Sequence, residues 1–264
     1  MTRPDKKKRP PPFDGGQPIR SKWRPVAAKA GSTSTTAAVV VFAKAPIVGQ
    51  VKTRLCPPLT PDEAASLHGS LVMDMLERSQ AVKGCDLVLA GSPDKTHPFF
   101  KAMEARFKVK LWEQVGEDLG ARMARTFHAG LGSTYRSLVI VGTDIPGITP
   151  QIVTQAFASL KEHDLVLGPT MDGGYYLIGL RKKAPELFQD IPWSTDQVCP
   201  LTEQKAKVLG LSMKKLPTLR DIDTIEDLQA ITRGLNHPGT NLVSQRTKNV
   251  LLELSKRLKT RGQG

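Results

Sequence analysis

From Ala37 onward, short apolar runs alternate with segments of helical period. The first run, AAVVVFA, is continuously apolar, which is typical of a strand buried on both faces. The later strands are predicted at CDLVLAG, VKLWEQ, SLVIVGTDIP, DLVLGPT, YYLIGL and LSMKKLP. Helices are predicted at TPDEAASLHGSLVMDMLERSQ, DKTHPFFKAMEARF, DLGARMARTFHAGL, PQIVTQAFASLKEH, LTEQKAKVLG and TIEDLQAITRGL. This alternation predicts an α/β fold, a mostly parallel central sheet with helices on both faces.

The first of these helices has a well-defined start. Thr60 is suited to the N-cap, Pro61 to the first helical position, and Glu63 to closing a capping box. Leu67 and Leu71 then mark an apolar face with a spacing of four residues. The pattern therefore predicts an amphipathic helix that packs on the sheet.

The net charge of +13 is concentrated in the terminal segments. Residues 1–36 carry +7, residues 244–264 carry +5, and residues 37–243 carry only +1. We therefore expect a disordered basic tail at 1–36, a folded domain at 37–243, and a basic tail or helix at 244–264. Such tails bind polyanions weakly and in a salt-dependent way, so a non-catalytic polyanion-binding module is one alternative function.

The composition favours an ordinary protein of a reducing compartment. No apolar run reaches membrane-spanning length, and the three cysteines form no Cys-x-x-Cys pair. We expect a soluble cytoplasmic protein, although the basic N-terminal segment leaves organelle targeting open.

A cluster of cations follows the first predicted strand. Gly49 permits close backbone approach, and Lys44, Lys52 and Arg54 supply positive charge. Phosphate groups are bound by this combination of backbone N–H groups and cations, although the spacing is not that of a Walker P-loop. Because ligands of α/β sheets bind beyond the carboxyl ends of strands, this segment is a candidate phosphate site, with a solvated basic loop as the alternative.

Carboxylates occupy similar places further along the chain. Asp144 ends the strongly apolar strand SLVIVGT, where it is suited to holding Mg2+ against phosphates, or is only a turn residue. Asp172, Gly173 and Gly174 form either a hairpin turn or the floor of a polar ligand site. Asp221 and Asp223 precede the last predicted helix. Either could be its cap, or one could be a second metal carboxylate.

Six motifs in order carry a family resemblance: FAKAPIVGQVKTRL, GEDLGARM, GTDIPGIT, GPTMDGGYYLIGL, IPWST and DIDTIEDL. Over about residues 39–235 the chain resembles small GT-A-fold glycosyltransferase-like proteins, some of them connected with arsenosugar biosynthesis. It is also similar to the 2-phospho-L-lactate guanylyltransferases in KTRLCPPLTPDEAASL and to the molybdenum-cofactor guanylyltransferases in DIDTIEDL. The resemblance implies a GT-A, or nucleotide-diphospho-sugar transferase, fold.

The resemblance also implies roles for individual residues. Lys52 and Arg54 would meet the nucleotide phosphates, Asp144 would hold Mg2+ or Mn2+, and Asp223 would be the second metal ligand. The nucleotide-binding set is Ala43, Lys44, Gly49, Lys52, Thr53 and Arg54, with Asp144, Lys52 and Arg54 as the catalytic groups. The acceptor or sugar would lie beside Asp172, Gly173, Gly174, Trp193, Ser194 and Thr195.

The implied activity is a Mg2+-dependent transfer from a nucleotide-diphospho-sugar to a small-molecule acceptor. One departure from the family pattern keeps an alternative open: the usual Asp-x-Asp is here Asp144-Ile145-Pro146, with a single carboxylate. The alternative is a nucleotidyltransferase, guanylyltransferase-like, that joins a nucleoside triphosphate to a small phosphorylated acceptor.

Overall fold

The computed structural model describes residues 35–132, 134–235 and 243–261. Its strands are β1 Ala37–Lys44, β2 Asp86–Ser92, β3 Lys110–Glu113, β4 Ser137–Val141, β5 Leu165–Pro169, β6 Tyr175–Leu180 and β7 Met213–Lys215. Its helices are α1 Pro61–Gln80, α2 Pro98–Phe107, α3 Leu119–Gly130, α4 Pro150–Ser159, α5 Val198–Val208, α6 Ile225–Gly234 and α7 Gln245–Arg261. Short 3-10 helices lie at Thr53–Leu55 and Pro185–Phe188.

The strands form one seven-stranded sheet in the order β3-β2-β1-β4-β6-β5-β7. The β1–β2, β1–β4, β2–β3 and β5–β7 pairs are parallel, and β6 runs antiparallel to both neighbours. The predicted mostly parallel α/β fold is confirmed. Since β1, β2, β3 and β4 run in one direction, their carboxyl ends share one edge of the sheet.

Side chains of alternate strand residues pack into two separate cores, one on each face of the sheet. On β1, Val39 and Val41 pack with α1, α2 and α4 on one face, whereas Ala38 and Val40 pack with α3 and α5 on the other. Helices therefore cover both faces, and burial on both sides explains why the strand sequences are continuously apolar.

A third core lies beside the sheet and joins distant parts of the chain. Leu55 contributes from the first 3-10 helix, and Ile222 from the loop before α6. Apolar residues of α1, α6 and α7 complete it: Leu67, Leu71, Leu228, Ile231, Leu251 and Leu254. This third core fixes the segment after β1 against the segment before α6.

The helix starts agree with their sequence signals, with one correction. Thr60 caps α1 in a capping box with Glu63, as predicted. The cap of α6 is Thr224, which accepts a hydrogen bond from the backbone N–H of Asp227. The interpretation of Asp221 or Asp223 as that cap is wrong, because a threonine nearer the helix already satisfies it.

The terminal segments differ in what the structure describes. The predicted tail at 1–36 lies outside the described residues, apart from Thr35 and Thr36. In the predicted tail or helix at 244–264, α7 is helical, and Leu251 and Leu254 are buried in the third core. None of the helices in the described part of the chain has the length and apolar character needed to cross a bilayer.

Candidate functional site

Lys52 lies at the centre of a charged cluster at the carboxyl edge of the sheet. Its backbone adopts a left-handed conformation with φ of 52°, and its side chain is only 2% exposed. The Nζ atom lies 2.8 Å from Oδ2 of Asp144 and donates to the carbonyl oxygen of Ile222. A lysine buried this deeply needs such partners, because an unpaired ammonium is costly to remove from water.

Asp144 and Asp223 both approach this ammonium group. Oδ1 of Asp223 is 4.0 Å from Nζ of Lys52, so the two carboxylates have oxygens no more than 6.8 Å apart, the sum of the two distances. The backbone joins the two loops as well, because the N–H of Ile222 donates to the carbonyl of Asp144 at 2.9 Å. The structure thus brings the two predicted metal carboxylates, 79 positions apart in the chain, to one place.

Arg54 contacts the same group of charges from the solvent side. Its Nη1 lies 2.7 Å from Oδ2 of Asp223, while its side chain is 68% exposed. The 3-10 helix explains the difference from Lys52, since Leu55 is buried in the third core and the preceding residues turn outward. Arg54 is therefore free to exchange its carboxylate partner for a ligand at little cost.

The local electrostatics favour ionised Asp144. Desolvation alone would raise the pKa of Asp144, but the positive charge of Lys52 and contact with His68 lower it well below the usual range. The carboxylate is still 39% exposed on its outer side. Asp144 is thus an anion at neutral pH that remains accessible to a ligand.

His68 of α1 also lies at this site, where it contacts both the end of β1 and Asp144. Its Nε2 is 3.1 Å from the carbonyl oxygen of Lys44, and its Nδ1 is 3.6 Å from Oδ1 of Asp144. The residue is 4% exposed, and Nδ1 has no hydrogen-bond partner within the described residues. Because a carbonyl oxygen only accepts, Nε2 carries a proton, and the ring links the end of β1 to Asp144.

A second pair of carboxylates lies next to the first. The turn after β5 is joined to the segment before α6, since the N–H of Met171 donates to the carbonyl of Leu219 at 3.1 Å. Burial and then the negative charge of Asp172 raise the pKa of Asp221 to about 6. The charge of Asp172 therefore acts on Asp221, a relationship that the sequence did not indicate.

The Asp172–Gly174 segment is a hairpin turn between antiparallel β5 and β6. Asp172 closes it by accepting from the N–H of Gly174 at 3.1 Å, and Gly173 has φ of +86°. A Cβ at Gly173 would lie 2.1 Å from the carbonyl oxygen of Asp196, so only glycine fits there. The turn interpretation is confirmed, while the ligand-floor interpretation stays a prediction.

The predicted acceptor loop packs against this turn. The N–H of Cys199 donates to the carbonyl of Gly173 at 2.8 Å. The indole of Trp193 lies on Gly120 of α3, where a Cβ would come within 2.3 Å of the ring. Ser194 and Thr195 are both exposed, but the Thr195 hydroxyl donates to the carbonyl of Pro192 at 2.7 Å and accepts from the N–H of Gln197 at 3.3 Å.

The other members of the predicted nucleotide-binding set differ in their exposure to solvent. Lys44, Gly49 and Thr53 are exposed, whereas Ala43 is buried at the end of β1. The backbone carbonyl of Ala43 accepts from Nε2 of Gln114 at 3.2 Å, so Ala43 shapes this edge rather than contacting a ligand. Gly49 has φ of +76° and open space around its Cα, which leaves its backbone approachable.

The donor set fits Mg2+ when substrate supplies further ligands. Carboxylates are hard oxygen donors, and Asp144 and Asp223 are 39% and 35% exposed, respectively. Among the described residues no group of three or more His, Cys, Asp or Glu side chains is placed to hold a metal ion. Two carboxylates completed by phosphate oxygens and water match the usual Mg2+ environment.

Comparison with known proteins agrees with this fold. A crystal structure from Desulfovibrio desulfuricans G20, provisionally named a nucleotide-diphospho-sugar transferase, is similar with a TM-score of 0.78 and 31% identity. The match covers 86% of this chain and 98% of that one. A cytidylyltransferase from Leptospira borgpetersenii shares only the fold, with a TM-score of 0.51 and 16% identity over 86% of this chain and 96% of that one.

Sequence comparison finds transferases too. Phosphoenolpyruvate guanylyltransferase from Sphaerobacter thermophilus is 28% identical over 199 residues, which cover 75% of this chain and 92% of that protein. Since these relatives are named as transferases, the prediction that the chain is an enzyme is confirmed. The model of the family DUF2064, described as uncharacterized protein conserved in bacteria, matches residues 75–195. The chain therefore has the nucleotide-diphospho-sugar transferase fold.

Proposed function

We propose that this protein is a Mg2+-dependent nucleotidyltransferase that joins a nucleoside triphosphate to a small phosphorylated acceptor. The observation that carries the proposal is the meeting of Lys52, Arg54, Asp144 and Asp223 at one edge of the sheet. Two cations and two carboxylates from three distant segments are the groups that phosphoryl chemistry requires. Both carboxylates are partly exposed, so they are accessible to a metal-bound triphosphate.

The four charged residues have different proposed roles, which follow from how exposed their side chains are. Exposed Arg54 binds phosphate oxygens in place of the Asp223 carboxylate, and Lys52 adds positive charge from below. Asp144 and Asp223 are the residues that would hold Mg2+, whose charge would neutralise negative charge on the phosphates. An oxygen of the acceptor attacks the α-phosphorus, the bond from that phosphorus to the α–β bridging oxygen breaks, and pyrophosphate leaves.

Two observations favour nucleotidyl transfer. The segment that begins with Asp144 continues as Ile145-Pro146, so it lacks the second carboxylate of the Asp-x-Asp pattern. The guanylyltransferase from Sphaerobacter thermophilus is matched over 92% of its length. Glycosyl transfer from a nucleotide-sugar is the second candidate, supported by the 31% identity with the Desulfovibrio desulfuricans protein.

The acceptor is proposed to bind between the β5–β6 turn and the loop of Trp193, Ser194 and Thr195. The close approach of Gly173 to Asp196, the residue that follows Thr195, supports this position, because a Cβ at Gly173 would lie 2.1 Å from the Asp196 carbonyl oxygen. The exposed hydroxyl of Ser194 can donate a hydrogen bond to a phosphorylated acid, while the hydroxyl of Thr195 holds the loop by donating to the carbonyl of Pro192 at 2.7 Å.

The full chain tests the proposal when it is incubated with each of four nucleoside triphosphates, Mg2+ and a phosphorylated three-carbon acid. Pyrophosphate release that requires the acceptor supports nucleotidyl transfer, whereas nucleoside diphosphate release from a nucleotide-sugar supports glycosyl transfer. Asp144→Asn serves as the inactive control. A wild-type protein that releases neither product, and whose melting temperature no nucleotide raises, contradicts both candidates.

A further inference from the structure

Gln114 follows β3 at the same edge of the sheet. In the β1–β2 pairing Lys44 is opposite Ser92, and in the β2–β3 pairing Gly91 is opposite Glu113. The N–H of Gln114 donates to the carbonyl of Gly91 at 3.3 Å, which extends the second pairing by one residue. Gln114 therefore occupies the row next to Ser92 and Lys44, at the carboxyl ends of three adjacent parallel strands.

The side-chain amide of Gln114 is held in one orientation. Its Nε2 donates to the carbonyl oxygen of Ala90 at 2.7 Å and to that of Ala43 at 3.2 Å. Both partners are acceptors, so the amide nitrogen must face them, and the amide oxygen faces away. No group in the described part of the chain donates to Oε1, and that atom is not among the buried unsatisfied ones. A fixed hydrogen-bond acceptor is thus presented to solvent.

This acceptor lies close to the phosphate-binding cluster. Ala43, which accepts from Gln114, is followed by Lys44, whose carbonyl contacts His68. His68 in turn contacts Asp144. In the strand order β3-β2-β1-β4 the backbone positions of Gln114 and Asp144 are three strand spacings apart, or ~14 Å. A nucleotide whose phosphates lie at Asp144 and Arg54 can reach Gln114 with its base.

We propose that Gln114 is a specificity-determining residue that reads the nucleobase through Oε1. This inference rests on the proposed nucleotide-binding function. A fixed acceptor favours a base that places an amino or imino N–H at that position and disfavours one that places a carbonyl oxygen or ring nitrogen there. The unpaired acceptor would otherwise lose its water without gaining a partner. Affinity for the triphosphate group itself does not depend on Gln114.

The test measures dissociation constants of the full chain for GTP, ATP, CTP, UTP and inorganic triphosphate with Mg2+, by calorimetry. In the wild type we expect one base class to bind at least tenfold more tightly than the weakest. In Gln114→Ala and in the longer Gln114→Met we expect this ratio to fall about tenfold, the scale of one hydrogen bond. Inorganic triphosphate should bind these variants as it binds the wild type. Glu113→Gln is the matched control, because its side chain points to the opposite face of β3, and it should keep the wild-type ratio.

The outcomes separate this inference from the proposed function. A wild type that binds neither triphosphate nor any nucleotide overturns both. A wild type that binds all four nucleotides equally, or folded Gln114 variants that keep the wild-type ratio, overturns only the role of Gln114. Equal loss of affinity for nucleotides and for inorganic triphosphate would also overturn it, because that pattern means a disturbed strand edge.

Discussion

Nζ of Lys52 lies 2.8 Å from Oδ2 of Asp144, although the lysine side chain is 2% exposed and the aspartate side chain is 39% exposed. The pair is therefore buried on one side and open on the other. The buried side ties the segment after β1 to β4, while the open side is available to a ligand. This asymmetry gives Lys52 a structural role that the more exposed Arg54 does not share.

We expect Lys52→Met and Arg54→Ala to separate stability from binding. Lys52→Met should lower the free energy of unfolding by about 1–3 kcal/mol, because the Ile222 carbonyl and Asp144 lose a donor. Arg54→Ala should change it by less than ~1 kcal/mol, as for other exposed ion pairs. The same Arg54→Ala variant should weaken nucleotide binding by about 1.5–3 kcal/mol. Urea titration and calorimetry provide the two values, and unchanged nucleotide affinity in folded Arg54→Ala would contradict the phosphate assignment.

Asp144→Asn should abolish Mg2+-dependent turnover while preserving the fold. The amide keeps the shape of the side chain but is a much poorer Mg2+ ligand than a carboxylate. Because the buried Lys52 ammonium loses its charged partner, we expect a stability loss of about 1–3 kcal/mol. Turnover and the Mg2+-induced shift in melting temperature are the measurements.

Asp164 provides the matched control for Asp144→Asn. It precedes β5, at the opposite edge of the sheet, and its carboxylate contacts Arg181 at 3.0 Å and Lys182 at 3.1 Å. Asp164→Asn should lower the melting temperature and leave turnover per folded molecule unchanged. If both variants lost turnover equally, the assignment of Asp144 to a metal site would be rejected.

Thr224→Ala and Asp223→Asn are adjacent substitutions with opposite expected effects. Thr224 caps α6, so its loss should cost about 0.5–2 kcal/mol of stability without affecting nucleotide affinity. Asp223 contacts Arg54 and Lys52 at the site, so Asp223→Asn should reduce Mg2+-dependent nucleotide binding with little loss of stability. Thermal unfolding and calorimetry on both variants test this. If Asp223→Asn lost stability and Thr224→Ala lost nucleotide affinity, Asp223 would be assigned to the helix cap.

The sequence predicted the sheet and the capping box at Thr60, because strand ends and helix starts have local signals. The family resemblance, and not a local signal, implied that Asp144 and Asp223 lie at one site, and the ion pair between Lys52 and Asp144 was not predicted. The sequence did not reveal His68, whose position on α1 is consistent with an ordinary helix and whose contact with Asp144 depends on packing. The interaction of Asp221 with Asp172 was missed for a similar reason. It arises where the β5–β6 turn joins the segment before α6, and no local pattern encodes that contact.

Asp221→Asn should stabilise the metal-free protein more at about pH 8 than at about pH 4. The pKa of Asp221 is raised to about 6, above the ~3.9 of an unfolded aspartate. The folded state therefore holds this proton more tightly, and ionisation of Asp221 costs stability as pH rises from about 4 to 6. Asparagine removes that cost. Melting temperatures measured with a chelator should show the difference between Asp221→Asn and the wild type growing in favour of the variant as pH rises from about 4 to 6. A difference that does not change with pH would contradict the raised pKa of Asp221.

The last helix should prove part of the folded domain even though its sequence is basic. Leu251 is fully buried in the third core with Leu67 and Ile222, and the carbonyl of Ile222 accepts from Lys52. Leu251→Ala should therefore lower the free energy of unfolding by about 2–5 kcal/mol, the usual cost of truncating a buried leucine. Glu253→Ala, on the exposed side of α7, should change it by less than about 0.5 kcal/mol. Urea unfolding of the two variants is the measurement. Equal midpoints would mean that α7 adds no stability, and removal of residues 244–264 would then be expected to leave turnover intact.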